Sequence, residues 1–111
     1  MKLIIAGGRD YVFSQNDIDR LNAVEGVTEV VSGGAPGADS GGEAWATEAD
    51  IPVKRFPADW KSHGRAAGPV RNRKMAEYAD AVALFPGGRG TASMQKEAVK
   101  HNLVIFDWRD N

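Results

Sequence analysis

Three short apolar runs in this chain each end at a pair of glycines, and a segment with helical spacing follows each of them. The runs occupy residues 3–6, 30–32 and 81–85, and the turns after them read GGRD, GGAPG and PGGRG. Regular alternation of short strands and helices favours parallel strands joined by right-handed crossovers. The sequence therefore predicts an α/β fold with a parallel sheet of about five strands and helices on both faces.

The same patterns give approximate bounds for the elements. Strands are expected at residues 2–6, 28–32, 53–56, 81–85 and 103–106, and helices at 15–24, 38–49, 69–79 and 91–101. The segment 57–68 has neither period and is predicted to be a loop, either a packed surface loop anchored by Trp60 or a lid over a ligand. We expect residues 1–111 to form a single domain.

Composition limits the chemistry of the chain. It contains no cysteine, so a disulfide framework and a thiolate metal site are both excluded. The two histidines, His63 and His101, are far apart in sequence. We therefore expect no metal and no cofactor. The apolar start is soon interrupted by Gly7 and Gly8, which argues against a signal peptide or membrane span, and we expect a cytoplasmic protein without a membrane partner.

Positive charge is concentrated in one part of the chain although the net charge is only −1. Seven of the 14 lysines and arginines lie between residues 54 and 74. A solvated helix face and loop would explain any one of them. For the group, an anionic partner is at least as good an explanation, whereas the low net charge argues against general nucleic-acid binding.

The three glycine turns are expected to meet, because the carboxyl ends of parallel strands lie on one edge of a sheet. Glycine allows the main chain to approach a ligand, and the helix that follows directs free N–H groups and partial positive charge at it, an arrangement that suits phosphate. Neither the complete G-x-G-x-x-G pattern nor a P-loop is present, which disfavours an ordinary NAD dehydrogenase or NTPase. The candidate ligand-binding residues are Gly7, Gly8, Arg9, Asp10, Gly33, Gly34, Gly37, Asp39, Pro86, Gly87, Gly88, Arg89, Gly90 and Thr91.

The third predicted helix adds Arg71 and Asn72 to these candidates. Both share a helix face with the apolar Met75 by three- and four-residue spacing, so they are expected on the buried side and need polar partners there. An anion in the crevice would provide one. An internal salt bridge from Arg71 to Asp10 or Asp80 is the alternative.

Five motifs, in the order GGRDY, GGAPGAD, FPADW, GPVRN and FPGGRGT, resemble the SLOG superfamily, which is named for the Smf/DprA and Lonely Guy proteins. The resemblance covers nearly the whole chain and is strongest to the small YspA-type, YpsA-related branch. It implies a Rossmann-like sheet, often dimeric, that binds nucleotides or nucleotide-derived molecules such as ADP-ribose.

Lonely Guy enzymes carry a catalytic arginine before the PGG strand and a glutamate shortly after PGGxGT. Arg71 matches that arginine, but Ser93 and Met94 stand where the enzyme pattern has its acidic residues. If the chain is an enzyme, the resemblance makes Arg71 catalytic and leaves Glu97, one helical turn further on, as a substitute acid. Asp10 and Asp39 could hold ribose hydroxyls or act as a base.

Three functions remain open at this point. The first is capture of a nucleotide or NAD-derived, ADP-ribose-like molecule by a sensor or sequestering module, with Tyr11 or Trp60 stacking on the base. The second is hydrolysis of a nucleotide N-glycosidic bond, as in Lonely Guy enzymes. The third is single-stranded nucleic-acid binding as in the DprA branch, with Trp60 as a stacking platform.

Overall fold

A computed structural model describes residues 1–109 of the chain. The strands are β1 (Lys2–Ala6), β2 (Glu29–Ser32), β3 (Val53–Arg55), β4 (Ala81–Leu84) and β5 (Val104–Asp107). The helices are α1 (Gln15–Ala23), α2 (Ala38–Glu48), α3 (Trp60–His63), α4 (Ala67–Tyr78) and α5 (Arg89–Lys100), with a 3₁₀ turn at Gly64–Ala66.

The five strands form one parallel sheet in the order β3-β2-β1-β4-β5. The chain runs outward from β1 to β3 and then returns to the other side of β1, so the strand order reverses between β1 and β4. Ligands of open α/β sheets bind at such a reversal, outside the carboxyl ends of the strands. The predicted α/β, Rossmann-like fold is confirmed.

The side chains of each strand alternate between two apolar layers, one on each face of the sheet. On one face Ile4 and Val82 pack with Met75 of α4 and Met94 of α5. On the other face Leu3, Ile5 and Phe85 pack with Leu21 of α1 and Trp45 of α2. Helices therefore cover both faces, as the sequence indicates.

The predicted helix starts differ from the structure in two places. Both α4 and α5 begin two residues earlier than expected, which places Pro69 at the third helical position and Gly90 in the first turn of α5. Both residues lie in the first turn of their helix, where the N–H groups have no intrahelical partner, so Pro69 removes no hydrogen bond from α4.

The prediction that residues 57–68 lack helix is wrong. They contain α3 and the 3₁₀ turn. The Asp59 side chain accepts a hydrogen bond from the Ser62 N–H and so caps α3, but four residues are too few to produce a helical period in the sequence. None of the helices in residues 1–109 is long and apolar enough to cross a membrane.

Candidate functional site

The glycine turns after β1, β2 and β4 meet at the carboxyl edge of the sheet, and Gly8 joins them. Its N–H donates to the Pro86 carbonyl at 2.8 Å, and its own carbonyl accepts from the Ala38 N–H at 3.1 Å. The first turn therefore lies between the other two and is bonded to both through main-chain atoms. The expectation that these turns share one edge is met by the geometry.

Close main-chain contact explains why glycine occupies several of these positions. A β-carbon on Gly37 would overlap the Gly8 carbonyl, and Gly37 also has a positive φ of 78°, which other residues rarely adopt. A β-carbon on Gly87 would lie 2.7 Å from the Gly8 nitrogen, and one on Gly7 would lie 2.7 Å from the Ala38 β-carbon. These three glycines hold the turns together and face protein atoms.

Three other glycines face open space. A β-carbon added to Gly34, Gly88 or Gly90 would meet no atom within 4 Å. Gly88 and Gly90 border the first turn of α5, and no side chain in residues 1–109 caps that helix start. By contrast, α1 has a complete capping box between Ser14 and Asp17. The start of α5 is thus exposed from Gly88 to Gly90 and has no side-chain cap within the described residues, an arrangement that suits binding of an anion to its N–H groups.

Arg71 is held at the side of this surface by two hydrogen bonds. Its Nη1 donates to the Gly33 carbonyl at 3.0 Å, and its Nε donates to Asn72 Oδ1 at 2.9 Å. Asn72 is buried, and its Nδ2 donates to Ser93 Oγ at 3.1 Å and to the Gly90 carbonyl at 3.4 Å. Arg71 and Asn72 together therefore connect the turn after β2 to the start of α5.

This arrangement leaves donors of Arg71 available. A guanidinium group carries five N–H donors, and the two bonds to Gly33 and Asn72 use two of them. The residue is half-buried, so its remaining donors act in a partly desolvated site. A fixed guanidinium with spare donors is well suited to bidentate binding of a phosphate or carboxylate.

Asp39 is the charged neighbour of Arg71 on the other side of Gly33. A β-carbon on Gly33 would lie 2.8 Å from Arg71 Cζ and 2.9 Å from Asp39 Oδ2, so both groups converge on that glycine. Burial raises the pKa of Asp39 although the Ala35 N–H and Arg71 favour its ionised form. Burial also lowers the pKa of Arg71, with Asp39 acting in the opposite direction and Arg9 adding to the decrease. The positive charges of Arg9 and Arg71 therefore repel each other across the site.

The remaining polar candidates lie around the edge of the crevice. Arg9, Asp10 and Arg89 are exposed, whereas Thr91 is buried in the first turn of α5. Asp80, one of the two alternative salt-bridge partners proposed for Arg71, accepts a hydrogen bond from the Lys2 N–H at 2.8 Å. The carboxylate that acts on Arg71 is that of Asp39, which the sequence marked only as a ribose or base candidate.

The two aromatic candidates have different surroundings. The ring of Tyr11 packs against Phe13 and Phe85, with centroids 6.0 and 5.7 Å away, and its hydroxyl donates to Asp17 at 2.6 Å. Its ring is thus part of the aromatic packing beside β4. Trp60 is 61% exposed at the start of α3.

Glu97, the substitute acid, lies in the third turn of α5, where one carboxylate oxygen is 3.6 Å from His101 Nδ1. Ser93, one turn earlier, occupies a place where Lonely Guy enzymes have an acidic residue, and here it accepts the hydrogen bond that fixes Asn72. Sequence reasoning treated Ser93 only as a missing acid. Gly90 and Ser93 are three residues apart, so they lie on the same face of α5, and both accept a hydrogen bond from Asn72 on the neighbouring helix. This spacing is the sequence signal for the role of Ser93 in positioning Asn72.

Comparison with known proteins shows the family of the chain. Residues 1–63, which contain the turns after β1 and β2, match the family described as YspA, cpYpsA-related SLOG family. The Gene 61 protein of Mycobacterium phage D29 is 36% identical over 89 residues, covering 73% of this chain and 71% of that protein. No solved structure matches significantly. The chain belongs to the YspA, cpYpsA-related family of SLOG proteins.

Proposed function

We propose that the chain binds a nucleotide or an NAD-derived, ADP-ribose-like molecule in the crevice between the glycine turns, as a sensor or sequestering module. In this proposal a phosphate lies against the N–H groups at the start of α5 and against Arg71. Ribose hydroxyls lie near Asp39 and Asp10, and Trp60 stacks on the base.

The observation that carries the proposal is the position of Arg71 beside an uncapped helix start with open glycines. Its two hydrogen bonds orient the guanidinium before any ligand arrives, so less side-chain entropy is lost on binding. Arg9 adds positive charge, and Asp39 compensates it only in part because burial disfavours the ionised carboxylate. A phosphate would remove the repulsion between the two arginines.

Binding without turnover is favoured over N-glycosidic hydrolysis by the placement of the carboxylates. Hydrolysis of a glycosidic bond uses an acid or base close to the sugar. Glu97 lies two turns along α5 from Gly90, about 10 Å away by helical rise. Asp39 is close to Arg71, but its carboxylate already accepts a hydrogen bond from the Ala35 N–H at 3.2 Å. A carboxylate that is fixed in this way is suited to accept a hydrogen bond from a ribose hydroxyl.

The test is ligand-induced thermal stabilisation by ADP-ribose, combined with mass spectrometry of any molecule that co-purifies. Because a β-carbon added at position 90 would meet no atom within 4 Å, we expect Gly90→Val to fold and yet to lose the ligand. Ala92→Val, at an exposed position in the same helix, is the matched control and should keep the ligand.

Each outcome separates the three functions. Ligand recovered intact and a shift that is lost only in Gly90→Val support capture. Release of a free base or ribose phosphate over hours would favour the hydrolase. Salt-sensitive binding of a single-stranded oligonucleotide, abolished by Trp60→Ala and unaffected by Gly90→Val, would instead favour the nucleic-acid function.

A further inference from the structure

One peptide group in the turn after β2 makes hydrogen bonds at both of its ends. Its carbonyl, that of Gly33, accepts from Arg71 Nη1 at 3.0 Å, and its N–H, that of Gly34, donates to Ser32 Oγ at 3.0 Å. A peptide group is planar, so the direction of its N–H also sets the direction of its carbonyl. The hydroxyl of Ser32 therefore helps to fix the acceptor that orients Arg71.

This restraint matters because both residues of the peptide group are glycines. Glycine has the greatest backbone freedom of all residues, and Gly34 has a positive φ of 74°. A β-carbon on Gly34 would meet no atom within 4 Å, so its surroundings do not hold the turn by packing. The position of the Gly33 carbonyl thus depends on hydrogen bonds.

Ser32 is in turn oriented by Glu43 of α2. The buried Ser32 hydroxyl donates its one proton to Glu43 Oε2 at 2.6 Å, which leaves its lone pairs to accept from the Gly34 N–H. Burial alone would raise the pKa of Glu43, but hydrogen bonds from Arg55 and Ser32 bring it below its ordinary value. An ionised carboxylate can only accept, so the direction of the Ser32 hydroxyl is fixed.

Arg55, at the end of β3, holds the other side of the Glu43 carboxylate. Its Nε lies 3.1 Å from both carboxylate oxygens, and its Nη2 donates to Oε1. The side chain of Arg55 is 67% exposed, whereas that of Glu43 is only 15% exposed. Because exposed ion pairs contribute little, the arrangement depends on Glu43 more than on Arg55.

We propose that Glu43 is a positioning residue for the crevice, which acts through Ser32 and the Gly33–Gly34 peptide group to hold Arg71 in its ligand-binding orientation. The inference rests on the proposed function for the identity of the ligand. The hydrogen bonds themselves can be tested without a ligand.

Glu43→Ala tests the role of Glu43 in binding, with Glu48→Ala as the matched control on the exposed side of the same helix. Titration calorimetry with ADP-ribose should give a dissociation constant about fivefold higher for Glu43→Ala, as expected for the loss of one hydrogen bond. Glu48→Ala should stay within about twofold of the unmodified chain. Glu43→Gln should restore binding, because its amide oxygen still accepts from Ser32.

A double-mutant cycle with Arg71→Ala distinguishes positioning from a general loss of stability. If Glu43 acts through Arg71, adding Glu43→Ala to Arg71→Ala should change the dissociation constant by less than about twofold. A further fivefold loss in the double variant would overturn the proposal, as would equal affinities of Glu43→Ala and Glu48→Ala.

Amide hydrogen exchange of the ligand-free chain provides a separate readout. The Gly34 N–H should exchange faster in Glu43→Ala than in Glu48→Ala, while the Ala38 N–H, which donates to the Gly8 carbonyl, should exchange equally in both. Equal exchange of Gly34 in the two variants would overturn the positioning role even if ADP-ribose binds. If ADP-ribose fails to bind the unmodified chain, the proposed ligand is wrong, and the exchange of Gly34 still decides whether Glu43 orients the turn.

Discussion

Replacing Arg71 with alanine tests the crevice most directly. Two charge-assisted hydrogen bonds to a phosphate contribute about 3 kcal/mol together, and their loss corresponds to roughly a hundredfold weaker binding. At a ligand concentration of 100 times the dissociation constant, the unmodified chain gains about 2.7 kcal/mol of unfolding free energy. The same concentration should give Arg71→Ala only about 0.4 kcal/mol.

Thermal unfolding with and without ADP-ribose measures this difference. For a chain of this size, 2.7 kcal/mol corresponds to a rise in Tm of about 10 °C, and 0.4 kcal/mol to less than about 2 °C. Without ligand, the unfolding free energy of Arg71→Ala should be about 1 kcal/mol lower than that of the unmodified chain, because the Gly33 carbonyl and Asn72 Oδ1 lose their donor and can accept hydrogen bonds only from water. The exposed Arg73 lies on the same helix, so Arg73→Ala removes the same charge and serves as the control. Equal Tm shifts in Arg71→Ala and the unmodified chain would refute the phosphate role of Arg71.

Three further changes test the geometry around the site. Gly37→Ala should lower the unfolding free energy by about 2–4 kcal/mol in urea titrations, because it combines a positive φ with overlap at the Gly8 carbonyl; a change below 1 kcal/mol would contradict the close packing of the turns. Burial raises the pKa of Asp39, so the folded state favours the protonated carboxyl group. Relative to Asp39→Asn, the unfolding free energy of the unmodified chain should fall as the pH rises from about 4 through the folded pKa, and then stay level. A constant difference in unfolding free energy between the two chains from about pH 4 to about pH 8 would contradict this. Ser14→Ala removes the acceptor for the Asp17 N–H in the capping box of α1 and should lower the unfolding free energy by about 1 kcal/mol without changing the ADP-ribose shift; a loss of that shift would mean that α1 contributes to binding.

The fold was predictable from sequence because the strands are short, apolar and punctuated by glycine. Strand β1 has the predicted bounds, β2, β3 and β4 are one residue shorter at one end, and β5 is displaced by one residue toward the C-terminus. Parallel pairing then requires the glycine turns to share an edge. The contact of Gly37 and Gly87 with Gly8 could not be foreseen, because it depends on how closely neighbouring turns approach.

Site geometry was less accessible from sequence because it depends on long-range side-chain contacts. Helical spacing places Arg71 and Asn72 toward the core, and both make polar contacts there, but nothing local identifies the Gly33 carbonyl as a partner 38 residues away. Tyr11 shows the reverse problem. Its position beside a glycine turn suggests ligand stacking, while the structure packs its ring against Phe13 and Phe85. The assignment of these residues to ligand binding stays a prediction.

The bonds of Gly8 to Pro86 and Ala38 join the three turns through backbone atoms alone. In the proposed site, substitutions at the exposed Arg9, Asp10 and Arg89 should therefore alter which molecule is preferred while the main-chain framework beneath them keeps its shape. Because the residues that hold the turns together differ from those that would select the ligand, single substitutions among the exposed residues could change the preferred ligand without loss of the fold.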